Sequence, residues 1–279
     1  MKPPGTFIRS GKVKDIYEPD EDHLLFHFTD RVSAFDVIMP TTIPRKGEVL
    51  CKLGAFFFET LSVPHHMVRL EGPDMMVVKK LKMIMVECIV RGYLYGSLFE
   101  RYSKGEVSLP VPKVLATKLP APFFDPTTKS EVHDEPITEK EIVDEKLATP
   151  KEYKHVRDST VEIYKKISAG ADKAGFILAD LKLEFGRDER GNVLLADSIG
   201  PDEFRMWPKQ AYAPGKTQES YDKQPVRDWL ISVGYKEKLD QARKAGKPVP
   251  PPPDLPSDLV GEVSRRYRVV YESLTGRKL

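Results

Sequence analysis

The sequence predicts an α+β protein. Residues 7–90 read as a run of short strands broken by one helix, and the remainder mixes capped helices with a charged hairpin. Of the 279 residues, 40% are hydrophobic and 31% charged, the balance of a globular chain long enough to bury a sizeable core.

The elements follow in order. "GTFIRSGKVKDIYE" and "HLLFHFTD" alternate like strands and are separated by a Pro-Asp-Glu-Asp turn. Leu50, Leu53, Phe57 and Leu61 recur at helical spacing over 47–61, with Pro64 just beyond. "MVRLEG" and "MMVVKKLKMIMVECIVRGYL" supply further strands. Residues 103–136, rich in Pro, Lys, Thr and Asp, read as a long excursion with little regular structure. Thr138 and Glu141 have capping-box spacing. A helix starting near Pro150 carries Val156, Ile163 and Ile167 on one side and ends at Gly175. A proline-rich connector, 244–258, leads to a terminal helix over 257–275, with Val260, Val263, Tyr267, Val270, Tyr271 and Leu274 on one face.

Several functions are excluded. Lys plus Arg is 44 against 42 for Asp plus Glu, with no basic block, so a nucleic-acid partner is not expected. No apolar run reaches membrane-spanning length, and "MKPPGTFIRSGK" lacks an apolar signal core. Cys51 and Cys88 lie in apolar contexts without metal spacing, which fits a cytosolic protein. The GKT in "APGKT" is no P-loop, because position 210 is Gln.

The most informative stretch is "LADLKLEFG", residues 178–186. Asp180, Lys182 and Glu184 alternate with Ala179, Leu181, Leu183 and Phe185, giving a strand with one apolar and one charged face. The "GRDERGN" turn and "VLLADSI" complete a hairpin. Registers that set Asp197 opposite Lys182 or Glu184 add it to the charged face; the register between them sends it to the apolar face. Clustered carboxylates repel unless a cation lies between them, and Mg²⁺ suits such oxygen donors. Two readings stay open here, a solvated outer strand and a cation site.

Other constellations carry donors. Lys12 and Lys14 flank Gly11 in a hairpin that could close over phosphates. Arg91 and Ser97 bracket Gly92 and Gly96 as a phosphate or carboxylate clamp. "GPDEFRMW" adds Asp202 and Arg205, and "SYDKQPVRDW" adds Lys223, Gln224 and Arg227. Ser33 and Asp36 sit near a turn with no histidine to complete a hydrolytic triad. His133 falls in an acidic loop that could touch substrate.

Together, "GKVKDIYE", "DRVSAFDVIMP", "IPRKGEVL", "VECIVRGYLYGS", "VHDEPIT", "LADLKLEFG", "DSIGPDEFRMW" and "SYDKQPVRDWL" resemble, in order over residues 8–230, the SAICAR synthetases of purine biosynthesis. The resemblance implies a two-lobed fold: a β-rich, ATP-covering N-lobe over 1–85 that is similar to a kinase small lobe, and a larger α/β C-lobe over 86–279. It implies ATP, Mg²⁺, a carboxyaminoimidazole ribonucleotide and L-aspartate as ligands, and an amide-forming ligase reaction. Monomer and homodimer both stay open. Carried over by position, Lys12, Lys14, Met83 and Lys129 meet the nucleotide, and Glu184 and Asp197 bind metal. Arg91, Ser97 and Arg205 grip the ribonucleotide phosphate, and Asp180 and Asp202 orient that substrate or its metal. Lys182 balances charge, while Ser33, Asp36, Lys223, Gln224 and Arg227 line the substrate side. "HRD" and "DFG" are absent, which weighs against a kinase acting on a hydroxyl; a non-catalytic nucleotide-binding module would not need the Glu184–Asp197 pair.

Overall fold

The structure is a computed structural model that describes residues 3–129 and 135–279; His133 lies outside the described residues. The chain opens with β1 (Thr6–Ser10), β2 (Lys14–Glu18) and β3 (His23–Phe28), then a ribbon of β4 (Arg31–Ala34) and β5 (Val37–Thr42). Helix α1 (Lys46–Thr60) follows, then β6 (Met67–Leu70) and β7 (Met75–Lys79). Five of these strands form one antiparallel sheet in the order β1-β2-β3-β7-β6.

A second antiparallel sheet is built from β8 (Lys82–Met83), β9 (Val86–Tyr93), β10 (Lys118–Phe124), β11 (Thr127–Thr128), β12 (Phe176–Arg187), β13 (Val193–Ala196) and β14 (Phe204–Pro208). Between them run α2 (Gly96–Lys104), α3 (Glu139–Asp144) and α4 (Pro150–Lys173). The chain finishes with α5 (Gln224–Ser232), α6 (Tyr235–Lys244) and α7 (Ser257–Thr275). The α+β reading and the expected helices hold, α7 to the residue. The 103–136 excursion needs correcting: β10 and β11 lie within it and pair with β9. Prolines at 120 and 122 hid β10, which is possible because it is an edge strand.

Strand β12 is the centre of the second sheet, pairing with β8, β9, β13 and β14. Leu181, Leu183 and Phe185 join Val156, Ile163 and Ile167 of α4 in the main core. A bulge between Leu178 and Asp180 shifts Ala179 out of that row, so it packs instead with Tyr93, Tyr95 and Trp207. Helix α1 packs on the first sheet and on α7. The proline-rich connector is pinned at both ends: Tyr235 donates to Pro250 O at 2.9 Å, and Leu255 N donates to Thr41 Oγ1 at 2.9 Å.

Besides the expected box at Thr138 and Glu141, α4 has a second one, Thr149 and Glu152. Glu152 also accepts Arg187 Nε at 2.6 Å and Nη2 at 3.2 Å. The Arg187 hydrogen bond, with Thr149, holds its carboxyl down to about 2 from an ordinary 4.5, against the opposing effect of burial. A depressed carboxylate stabilises the fold above its unfolded pKa and loses that contribution as pH falls through about 2. Glu152→Ala is expected to cost about 2 kcal/mol at pH 7. Melting curves should show its deficit shrinking from pH 5 towards pH 2; a constant deficit would contradict this linkage.

Candidate active site

Asp180, Lys182 and Glu184 share one face of β12, as alternation requires, but the face is not wet. Asp180 and Glu184 are 6% and 5% exposed. A buried charge needs partners, and β9 supplies them, setting Arg91 opposite Asp180 and bringing Glu87 to Lys182. Lys182 Nζ lies 2.6 Å from Glu87 Oε1 and 3.9 Å from Glu184 Oε1. Lys129 pairs with Glu184. Burial pushes the Glu184 carboxyl up, but Lys129 and Lys182 outweigh it and hold the group below its ordinary value. Glu87 escaped the sequence reading because "VECIV" resembles any buried strand.

The hairpin register is not one of the two favoured above. Ala196, not Asp197, stands opposite Glu184, the register that sends an extended Asp197 to the apolar face. Asp197 escapes because it is not extended. Its φ is +58°, the strand ends at Ala196, and its carboxylate pairs with Lys14. The carboxylate reaches the cleft by a left-handed turn, which side-chain parity cannot reveal.

Lys14, from the first sheet, thus meets the second. Its ammonium sits 4.8 Å from the Phe26 ring centroid, and burial lowers its pKa to about 8. Lys12 is more exposed and pairs with Asp36 in the β4–β5 turn, while Ser33 is buried in β4. The two lysines therefore meet different carboxylates rather than acting as a matched pair. Met83 lies in register with Gly186. Ile84 N donates to Phe185 O at 2.9 Å, so ladder alternation turns the Met83 amide and carbonyl away from β12.

At the other end of β12 the charge reverses. Arg91 Nη2 donates to Ser97 Oγ at 3.0 Å, Nε to Asp125 at 3.0 Å and Nη1 to Asp180 at 3.4 Å. Arg205, opposite Asp180 on β14, pairs with the same carboxylate. Burial raises the Asp180 pKa, but Arg205 and Arg91 outweigh it and hold it below its ordinary value. Gly96 opens α2 with φ +56°, and a Cβ there would approach Arg205 Nη2 to 3.0 Å. Two arginines, a hydroxyl and the amides of a helix N-terminus make an anion site. Arg205 Nε is buried without a hydrogen-bond partner among the described residues. Asp125, which pairs with Arg101 beside this clamp, lay in the stretch read as having little regular structure.

The remaining candidates divide. Asp202 is committed internally: it binds Lys46 at 2.7 Å and accepts Tyr267 Oη at 2.7 Å. Its neighbour Glu203 is the more available carboxylate, with one oxygen buried and unpartnered among the described residues. Burial and Asp202 push it up to about 7. Burial lowers Lys223 to about 8, and burial with Arg205 lowers Arg227. Gln224 Oε1 accepts only a long 3.4 Å contact from Arg227. Asp222, not Lys223, ties the start of α5, accepting Gln224 N at 2.6 Å.

For Mg²⁺ the donor chemistry fits. Glu184 and Asp197 are oxygen donors, each covered by an ammonium that a metal could replace. Among the described residues no group of three or more His, Cys, Asp or Glu could hold a metal ion. Mg²⁺ takes one or two carboxylates and completes its shell with phosphates and water.

A lysine-covered carboxylate pair at one end of β12 and an arginine clamp at the other are the arrangement expected of an enzyme that handles phosphorylated, anionic small molecules. Comparison with known proteins is more specific. The SAICAR synthetase family profile matches residues 7–242. The phosphoribosylaminoimidazole-succinocarboxamide synthase of Nitrosopumilus maritimus is 50% identical, covering 98% of this chain and 99% of its own length. The SAICAR synthase of Saccharomyces cerevisiae, solved with SAICAR, superposes with a TM-score of 0.84 at 34% identity, covering 98% of this chain and 95% of that one. A SAICAR synthetase in complex with ADP matches at 27% identity and a TM-score of 0.75, covering 97% of this chain and 98% of that one. The chain belongs to the SAICAR synthetase family.

Gly96→Ala tests the anion clamp. The added methyl forces both φ and Arg205 to move, so KM for a phosphorylated substrate should rise roughly 10-fold or more, equivalent to about 1.4 kcal/mol of binding. An unchanged KM would remove the α2 N-terminus from the site.

Proposed function

We propose that the chain is an ATP-dependent ligase that joins L-aspartate to the carboxylate of a carboxyaminoimidazole ribonucleotide, releasing ADP and phosphate and giving SAICAR. The observation that carries the reading is that β12 holds both clusters on one face. Asp180 and Glu184 are four positions apart, about 13 Å of strand, enough to place a sugar phosphate at one end and a transferring phosphoryl group at the other.

At the Glu184 end, Lys14 and Lys129 receive the ATP phosphates, with Lys12 closing from the Gly11 hairpin. The outward backbone of Met83 offers hydrogen bonds to adenine. Glu184 and Asp197 would hold Mg²⁺, which when bound neutralises charge on the phosphates. At the Asp180 end, Arg91, Arg205, Ser97 and the α2 amides bind the ribonucleotide phosphate. Asp180 does not meet substrate; it orients both arginines. Asp202 likewise acts through Lys46 and Tyr267. Lys223, Arg227 and Gln224 line the substrate side, although Gln224 Nε2 already donates to Asp228 at 2.8 Å, and Ser33 and Asp36 border it from the β4–β5 ribbon.

The chemistry follows from what a carboxylate lacks. It repels an amine's attack and has no leaving group. A carboxylate oxygen of the ribonucleotide attacks the γ-phosphorus and ADP leaves; the amine of aspartate then attacks the acyl carbon and phosphate leaves. Such a route needs positioning and fixed positive charge rather than a protein nucleophile, and Lys182, held protonated between Glu87 and Glu184, supplies that charge. The setting is read as cytosolic: Cys51 and Cys88 are free and buried. Among the described residues no helix is long and apolar enough to cross a membrane.

A coupled assay of ADP release tests the reading. ADP should form in quantity only when ribonucleotide and aspartate are both present. Release indifferent to aspartate would point instead to a phosphotransferase. Asp197→Asn should lower kcat at least 100-fold with little change in melting temperature, since its carboxylate is partly exposed and, among the described residues, meets only Lys14; near-normal turnover would refute its role.

A further inference from the structure

Asp197 reaches the cleft against the register of its own hairpin. Paired as it is, with Ala196 opposite Glu184, an extended continuation would direct its side chain to the opposite face. The left-handed φ of +58° redirects it, a conformation that non-glycine residues seldom adopt. Something must hold that turn.

His66 Nε2 lies 3.0 Å from the carbonyl oxygen of Asp197. A carbonyl only accepts, so Nε2 carries the proton and donates. The ring cannot drift. His66 is 3% exposed and packs edge-on against Phe26 and Phe58, at centroid distances of 5.7 and 5.4 Å. Its backbone is tied on both sides: His66 N donates to Leu195 O at 3.0 Å, and Lys79 N donates to His66 O at 2.8 Å. His66 therefore spans the end of β7 in the first sheet and β13 in the second, beside the residue that turns.

We propose that His66 is a positioning residue for Asp197: its Nε2–H fixes the left-handed peptide and so aims the carboxylate at the site of nucleotide-bound Mg²⁺. The inference rests on the metal role assigned to Asp197 above. His66 touches neither nucleotide nor metal; it acts through the Asp197 carbonyl.

The test is calorimetric titration of ADP into the full-length protein with and without Mg²⁺. The quantity read is the factor by which Mg²⁺ tightens ADP binding. His66→Phe keeps a buried ring and removes the donor; it should cut that factor about 10-fold, the usual scale for a residue that orients a metal ligand, and leave metal-free ADP affinity within twofold. His66→Gln, whose amide can donate to the same carbonyl, should restore the factor to within about threefold of wild type. If His66→Phe does not fold, His66→Leu provides the donor-free arm. A donor-free variant with the wild-type factor overturns the proposal, as does a loss that His66→Gln fails to repair, which would mark a packing role. Asp197→Asn run alongside separates the layers. If it leaves the Mg²⁺ factor intact, the metal role itself fails; if it abolishes the factor while His66→Phe does not, only the positioning role fails.

Discussion

Three ionisable side chains on the central strand of a sheet are the constraint on which the rest depends. Asp180, Lys182 and Glu184 occupy alternate positions of β12, and the two carboxylates are almost fully buried. Desolvation of each is opposed by partners brought from other elements and, for Glu184, also by Lys182 beside it. Arg91 and Glu87 come from β9, Arg205 from β14, and Lys129 from the segment after β11. The sheet order is therefore also a charge order: positive around Asp180, and lysine-bridged carboxylates around Glu184.

That arrangement suits one strand to the two ligands proposed for it. The apolar face of β12 is locked against α4 by Leu181, Leu183 and Phe185, so the charged face cannot rotate away. Its two ends differ in sign because their neighbours differ. The Asp180 end gathers three guanidiniums, Arg91, Arg101 and Arg205, and a helix N-terminus around the carboxylates of Asp180 and Asp125, a positive excess that leaves room for an anion. The Glu184 end meets ammonium groups that substrate phosphates and a metal can displace. The first sheet contributes by reaching over: Lys14 crosses to Asp197, and Lys46 of α1 crosses to Asp202, where Tyr267 of α7 also ends.

Much of this was legible in the residues. Alternation in "LADLKLEFG" gave the strand and its charged face, and spacing gave α1, α4 and α7. What stayed hidden has physical reasons. The pairing of Lys182 with Glu87 is a cross-strand contact, and single-strand periodicity carries no information about partners. The route of Asp197 depends on one dihedral angle, so its placement was expected through a register the protein does not use. Strand β10 was masked by prolines tolerated at an edge. Asp202 and Glu203 are adjacent in sequence and opposite in circumstance, one spent on Lys46 and Tyr267, the other with an unpartnered oxygen; only packing against α1 and α7 distinguishes them.

The central claim is that the two ends of β12 bring a substrate carboxylate to the phosphoryl group of ATP. Oxygen-18 in that carboxylate reports on it directly. If the carboxylate is phosphorylated before the amine attacks, one labelled oxygen leaves with each inorganic phosphate, and mass spectrometry of the phosphate should show it at one label per turnover. Unlabelled phosphate, with both labelled oxygens accounted for in product and water, would contradict the claim.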